Sequence, residues 1–273
     1  MNEVLNDADY ELFRKIIYDE SGITFSDTNR AILDSRIKGI LREKNIATPK
    51  DYYALITKNK EEMKEMLDSV TTNLTRFFRN QPHFDAFEKY VIPNVVEMKK
   101  TKGIDRTIRI WSAGCSTGEE PYTIAMIMKE ICPVGFNFQI TASDISLKSL
   151  MTAKQGFYAD SKIDGIPPNY LQKYFTKVEG GYQIKDEIKS TVRFDYHNLK
   201  NDSGARNLDV VFCRNVLIYF DEPAQLTVIK NFWNSMAQQS FLFIGHSESL
   251  FGMKTDFEFL KTEWACFYKK DQK

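Results

Sequence analysis

From residue 7 to residue 75 the apolar positions recur every three or four residues. Leu12, Phe13, Ile16 and Ile17 mark a helix over Asp9–Ser21 that Gly22 ends. Asp27 is placed to cap a second helix, Thr28–Lys44, with Leu33, Ile37, Ile40 and Leu41 as its buried stripe. Thr48-Pro49-Lys50-Asp51 opens a third, carrying Tyr52, Tyr53, Leu55 and Ile56. A fourth, about Lys60–Val70, presents Met63, Met66, Leu67 and Val70. No strand pattern precedes residue 90, so residues 1–75 read as a small all-helical domain. His83–Met98 resumes a helix, interrupted by Pro93.

From Arg106 the period changes. Short apolar runs at Thr107–Ser112, Phe138–Ser143, Val192–Tyr196, Leu208–Cys213 and Phe241–Gly245 alternate with helical ones. That alternation predicts an α/β domain over residues 76–273, built on a mostly parallel sheet with helices on both faces. Phe257–Leu260 and Trp264–Lys269 read as a closing antiparallel hairpin. Residues 155–190 break the rhythm. A second hairpin pattern turns there at Gly180-Gly181, which marks a small inserted β-subdomain.

Composition narrows the class. The chain has 273 residues, 42% hydrophobic and 27% charged, the profile of a globular protein. Lys+Arg and Asp+Glu are both 37, which gives no support to a nucleic-acid partner. The charge is uneven, however. The second helix carries Arg30, Arg36, Lys38, Arg42 and Lys44 against Asp34 and Glu43, either a solvated face or a docking surface for an acidic partner. Cys115, Cys132, Cys213 and Cys266 are scattered without a CxxC, and with three histidines no metal site is expected. The first residues lack a signal-peptide pattern, and no apolar run approaches the roughly 18 residues of a membrane span. A cytoplasmic protein with reduced thiols is the expectation.

The candidate chemistry centres on Trp111–Tyr122, WSAGCSTGEEPY, between the first strand and the helix Tyr122–Ile131. Strand, tight turn and helix open a nucleotide-binding α/β unit. Gly114 and Gly118 allow the turn and a close approach of backbone to ligand. Glu119 and Glu120 at the helix start repel a polyanion and suit a cationic group such as an ammonium, although an acidic pair also simply complements a helix N-terminus. Asp144 ends the second strand 26 residues beyond Gly118, where an acidic residue commonly holds ribose hydroxyls or caps the next helix. Ser112–Glu120, Asp144, Asn198 and Arg214–Tyr219 all follow strand ends, and open α/β sheets bind ligands along that edge. Thr71–Arg79, TTNLTRFFR, clusters polar and basic groups just before it.

Taken together, TNLTRFFR, WSAGCSTGEEPY, ASDIS, FCRNVLIYF and IGHSES resemble, in order and along nearly the whole chain, the chemotaxis receptor methyltransferases of the CheR family. The resemblance implies a class I S-adenosylmethionine-dependent methyltransferase (Rossmann-like) domain with a small antiparallel β insertion, preceded by a small all-helical domain. It implies transfer of a methyl group from S-adenosylmethionine to glutamate side chains in the cytoplasmic helical domain of transmembrane chemoreceptors. By similarity, Asn73, Thr75, Arg79 and Gly114 line the cofactor site, and Glu120 takes the methionine ammonium. Asp144 holds the ribose, Asn198 and Leu199 border the adenine, and Arg214 and Asn215 complete the site. Arg79 and Tyr219 are assigned to positioning the substrate glutamate, and Arg30, Arg36, Lys38 and Arg42 to receptor docking. Ser112 and Ser116 replace the acidic residue and the middle glycine found in many class I enzymes.

The short turn at Glu179-Gly180-Gly181 points to a protein that does not depend on a pentapeptide tether at the receptor C-terminus. A monomer is expected. The rival of a different class is a catalytically silent module that senses S-adenosylmethionine. Such a module has no use for Arg79 and Tyr219.

Overall fold

The computed structural model describes residues 4–271; the outermost ends of the two expected domains lie outside it. The chain begins with four helices: α1 (Asp7–Ser21), α2 (Arg30–Glu43), α3 (Pro49–Ile56) and α4 (Lys60–Val70). Their buried stripes, including Phe13, Ile17, Leu33, Ile37, Tyr52, Met66 and Leu67, form a core of their own. Local chemistry sets the boundaries. Asn6 caps α1 by accepting from the Asp9 amide, and Gly22 closes it at φ 79°. Asp27 does not cap α2. It lies in a 3-10 turn, Asp27–Asn29, held by the Asn29 amide on the Ser26 carbonyl, and α2 starts at Arg30 rather than at Thr28.

The second unit opens with α5 (Gln81–Ala86) and α6 (Ile92–Lys102), joined by a π-helical turn, Phe87–Val91. Pro93 therefore does not break the helix. The Ile92 amide reaches back to the Phe87 carbonyl, and the widened turn accommodates the missing proline donor. The sheet strands are β1 (Thr107–Ala113), β2 (Asn137–Asp144), β3 (Phe157–Ala159), β4 (Phe175–Val178), β5 (Gly181–Ile184), β6 (Val192–Tyr196), β7 (Leu208–Cys213), β8 (Met236–Ile244), β9 (Glu258–Lys261) and β10 (Cys266–Lys270). Between them lie α7 (Glu119–Ile131), α8 (Leu147–Gln155), α9 (Pro168–Tyr174), α10 (Asp186–Lys189) and α11 (Glu222–Ser235).

Seven strands form one sheet in the order β6-β2-β1-β7-β8-β10-β9. The first five are parallel, and β10 and β9 close the edge antiparallel. The strand order reverses between β1 and β7, which is where such sheets open a ligand crevice. β3, β5 and β4 form a separate antiparallel sheet, with β4 and β5 joined by the two-residue turn Glu179-Gly180. Apolar side chains on both faces of the parallel strands make the core, with Phe212 and Phe243 stacked at 4.6 Å.

The helical unit is clasped to the sheet edge. Lys200 donates its ammonium to the Tyr18 and Asp19 carbonyls at the C-terminus of α1, at 3.1 and 2.8 Å. Asn198 Nδ2 donates to the Glu20 carbonyl at 2.6 Å. Ile23 pairs antiparallel with Phe220, and the Thr24 amide donates to the Tyr219 carbonyl at 2.8 Å. A Cβ on Gly22 would sit 2.8 Å from the Lys200 side chain, so the closeness of the clasp depends on that glycine.

Candidate active site

The β1–α7 turn is built by backbone bonds across two strands. The amides of Gly114 and Cys115 both donate to the Ser143 carbonyl on β2, at 2.8 and 2.9 Å. The Ser116 amide donates to Asp144 Oδ2 at 2.8 Å. Gly114, at φ 81°, approaches Val216 so closely that a Cβ would stand 2.5 Å from a Val216 methyl. The turn therefore folds tightly under a cavity of about 330 Å³ between the helical unit and the carboxyl ends of β1, β2, β6 and β7.

The structure separates the two glutamates at the start of α7. Glu119 points inward, 1% exposed, accepting from the Thr117 hydroxyl at 2.7 Å. Glu120 lines the cavity. It accepts from the Ser112 hydroxyl at 2.7 Å and lies 3.5 Å from Arg214 Nη1. Burial pushes the Glu120 carboxyl above its ordinary range, opposed by the charge of Arg214 and the Ser112 bond. Arg214 is the better buried partner, with its side chain 2% exposed against 14% for Glu120. It donates Nη2 to the Arg79 carbonyl and lies over the Phe84 ring at 5.1 Å. Among the described residues its buried Nε and Nη1 have no hydrogen-bond partner, nor has the buried Ser116 hydroxyl.

Asp144 ends β2 just ahead of α8, whose N-cap is Ser146 and not Asp144. Its two oxygens take the amides of Ser116 and Ser146, each at 2.8 Å, and it lines the cavity with lone pairs to spare. Burial raises its carboxyl too, against the pull of those amide bonds. Asn73, Thr75, Arg79, Gly114, Asn198, Leu199, Asn215 and Tyr219 line the same cavity. Arg79 gives Nη1 to the Leu74 carbonyl at 2.9 Å. Asn198 has both ends of its amide engaged, with Glu20 and with the Lys200 amide.

The basic residues of α2 divide. Arg36, Lys38 and Arg42 are exposed. Arg30 is not a free docking group. Its guanidinium pairs with Asp7 at 2.7 Å, donates to the Leu5 carbonyl and lies over Tyr10, which ties the N-terminal arm to α2. His83, which the sequence reading passed over, packs on Phe243 near Arg214 and is held neutral, its pKa lowered to about 3 by burial. The sequence reading also gave no role to Ile23, Thr24 and Phe25, which line the cavity from the helical side, or to Glu248. The sequence signals for Glu248 are its place in IGHSES and just beyond a strand end.

Comparison with known proteins agrees along the chain. The family model for the CheR methyltransferase all-alpha domain matches residues 8–71, and that for its SAM binding domain matches residues 73–266. A chemotaxis protein methyltransferase of Borreliella burgdorferi is 36% identical over 265 residues, covering 94% of this chain and 92% of that protein. Chemotaxis protein methyltransferase 2 of Vibrio cholerae is 32% identical, covering 100% of this chain and 96% of its own. That of Escherichia coli is 32% identical, covering 90% and 85%. Two family domains matched in order, over an α/β sheet whose carboxyl edge carries the motifs, show that the chain belongs to the CheR methyltransferase family.

Proposed function

We propose that this methyltransferase esterifies glutamate side chains on the cytoplasmic helical domain of chemoreceptors, with S-adenosylmethionine as donor. The observation that carries the reading is one cavity holding two kinds of group. Glu120 beside Arg214 offers an anion and a cation to an amino-acid zwitterion. Asp144 retains acceptor sites for a ribose diol. Arg79 and Tyr219 line the same space, and a binding-only module would leave them idle.

Bound S-adenosylmethionine supplies an electrophilic methyl group on a sulfonium centre. A glutamate carboxylate, with an ordinary pKa of about 4.3, is already ionised near neutral pH, so the chain has no proton to remove. Its task is to take the carboxylate out of water, aim it and hold it. Arg79 binds one carboxylate oxygen by a charge-assisted bond and leaves the other to attack. Tyr219 donates its hydroxyl to the same group. Arg36, Lys38 and Arg42 steer an acidic helical surface toward the cavity, acting on association more than on affinity. The tight turn between β4 and β5 supports docking without a pentapeptide tether.

The test is transfer of tritium from methyl-labelled S-adenosylmethionine to a receptor cytoplasmic fragment, with and without its C-terminal pentapeptide. Base-labile label, equal on both fragments, is the expected result. Cofactor binding with no label on any receptor fragment would transfer the case to the sensing module.

Glu120 makes a separate prediction. An ammonium binds the ionised carboxylate, and burial has raised the carboxyl. Cofactor affinity should therefore fall as the solution is acidified, beginning above the pH at which a free glutamate titrates. Glu120→Gln should bind roughly 10- to 100-fold more weakly near neutrality, the worth of one charge-assisted hydrogen bond. It should also lose most of the acid dependence, leaving the share due to Asp144. Calorimetry with S-adenosylhomocysteine across that range reads both. An unchanged acid dependence in the variant would remove Glu120 as the ammonium partner.

A further inference from the structure

Glu248 stands four residues past Ile244, the end of β8, and outside the cavity lining, yet both of its carboxylate oxygens accept from backbone amides. Oε2 accepts from the Asn215 amide at 2.9 Å and, more closely still, from the Gly245 amide. Oε1 accepts from the Ile218 amide at 3.2 Å. Its own amide donates to the Gly245 carbonyl at 2.9 Å, which folds the β8 exit back on itself. A Cβ on Gly245 would lie 2.5 Å from Glu248 Oε2 and 2.8 Å from the Asn215 amide, so the carboxylate fits only because residue 245 has no side chain.

Two of the three amides it binds, those of Asn215 and Ile218, belong to the turn after β7, the segment that brings Arg214, Asn215 and Tyr219 to the cavity. That turn needs outside support. Asn215 sits at φ 60°, a left-handed conformation that few residues other than glycine and asparagine adopt and that neighbouring bonds must hold. Its carbonyls are held elsewhere: Gln225 donates to Leu217 and Phe220, and the Thr24 amide donates to Tyr219. Glu248 supplies the anchor for the amides. A neutral side chain would not do the same work, because an amide has one accepting end and three N–H groups converge on both oxygens.

We propose that Glu248 is a positioning residue for methyl transfer, fixing the Arg214–Tyr219 turn through its backbone amides so that Tyr219 meets the substrate carboxylate. The proposal rests on the glutamate-methylating reading above for its kinetic consequence, but not for its structural one. Glu248→Gln keeps size and one accepting oxygen; Glu248→Ala removes both oxygens. In each variant, amide hydrogen exchange should quicken at residues 214–219, and more in Glu248→Ala, with β1 unchanged. Turnover on a receptor fragment at saturating cofactor should fall by about 100-fold in Glu248→Ala, the cost of a misplaced reacting group, and by less in Glu248→Gln. Affinity for S-adenosylhomocysteine should fall by much less than turnover, since Glu120 and Asp144 hold the cofactor from other elements and only Arg214 and Asn215 lie on the loosened turn.

Wild-type exchange rates at residues 214–219 in Glu248→Gln would overturn the proposal whatever the substrate proves to be. Wild-type turnover beside quickened exchange would overturn it as well. Cofactor affinity and melting temperature that fall together with turnover would show a merely structural residue. If Glu248→Ala fails to fold, Glu248→Gln decides. A wild-type protein that labels no receptor fragment counts against glutamate methylation alone, and the exchange result then stands as the measure of Glu248.

Discussion

Arg214→Leu is expected to cost about 3 kcal/mol of stability and nearly all methyl transfer. Removing one partner of a buried ion pair strands the other, and that penalty exceeds the worth of the pair itself. Here the stranded group is Glu120, 14% exposed, left with only the Ser112 hydroxyl. The substitution also removes the contact over Phe84 and the bond to the Arg79 carbonyl, which joins the polar linker segment to β7. The Glu120 carboxyl, already raised by burial, loses the charge that holds it down and rises further. An acid whose folded pKa lies above its unfolded value favours the folded state in acid, and that contribution is lost as pH rises through the folded pKa. The deficit of Arg214→Leu should therefore be largest at neutral pH and narrow on acidification. Thermal melts of wild type, Arg214→Leu, Glu120→Gln and the double variant across pH measure this. The double variant should melt above the sum of the two losses, because it strands no charge. Strict additivity, or a wild-type melting temperature for Arg214→Leu, would mean that the pair at 3.5 Å is not the source of the penalty.

The same buried pair shows what a sequence can and cannot disclose. Glu120 and Arg214 were each legible because each follows a strand end, and the strand pattern is a property of short contiguous segments. The period-2 and period-3.6 runs likewise place α1, α2, α4 and the strands β1, β2, β6 and β7 to within two residues, while β8 starts at Met236, five residues before its expected start at Phe241. Their mutual contact was not legible, since 94 residues separate them and no local pattern encodes which strand neighbours which. Glu248 falls within the IGHSES motif, but its role there is not legible, for a sharper reason. Its partners are backbone amides, which carry no residue signature, and only the fold brings them to it. Arg30 misled in the opposite direction. A basic residue on a helix reads as exposed, but the N-terminal arm folds back and supplies Asp7 and the Leu5 carbonyl. Pro93 misled because a π-helical turn is a tertiary accommodation, while the rule that proline ends helices is local. The strap Ile23–Phe25 reads as a loop between helices, and only the bridge to Phe220 makes it a wall of the cavity.

Arg79→Ala should retain the cofactor and lose the reaction, by about 100-fold or more in turnover. The separation is possible because Arg79 contributes in two ways through different atoms. Its carbonyl accepts from Arg214 Nη2, and that backbone bond survives truncation of the side chain, so the Glu120–Arg214 arrangement stays in place. Its guanidinium gives Nη1 to the Leu74 carbonyl and has further donors for the cavity. Those donors are what a substrate carboxylate would meet. Affinity for S-adenosylhomocysteine should therefore change only a little, while label transfer to a receptor fragment collapses. Arg79→Lys should recover part of the rate, since it keeps the charge but not the planar fork that directs one oxygen. Tyr219→Phe should cost less than Arg79→Ala, because it removes a neutral donor. The double variant should fall short of the product of the single losses, because both groups act on one carboxylate. Parallel loss of cofactor affinity and rate in Arg79→Ala would instead place the guanidinium on the cofactor. Full wild-type transfer would remove Arg79 from the chemistry and leave Tyr219 as its remaining candidate.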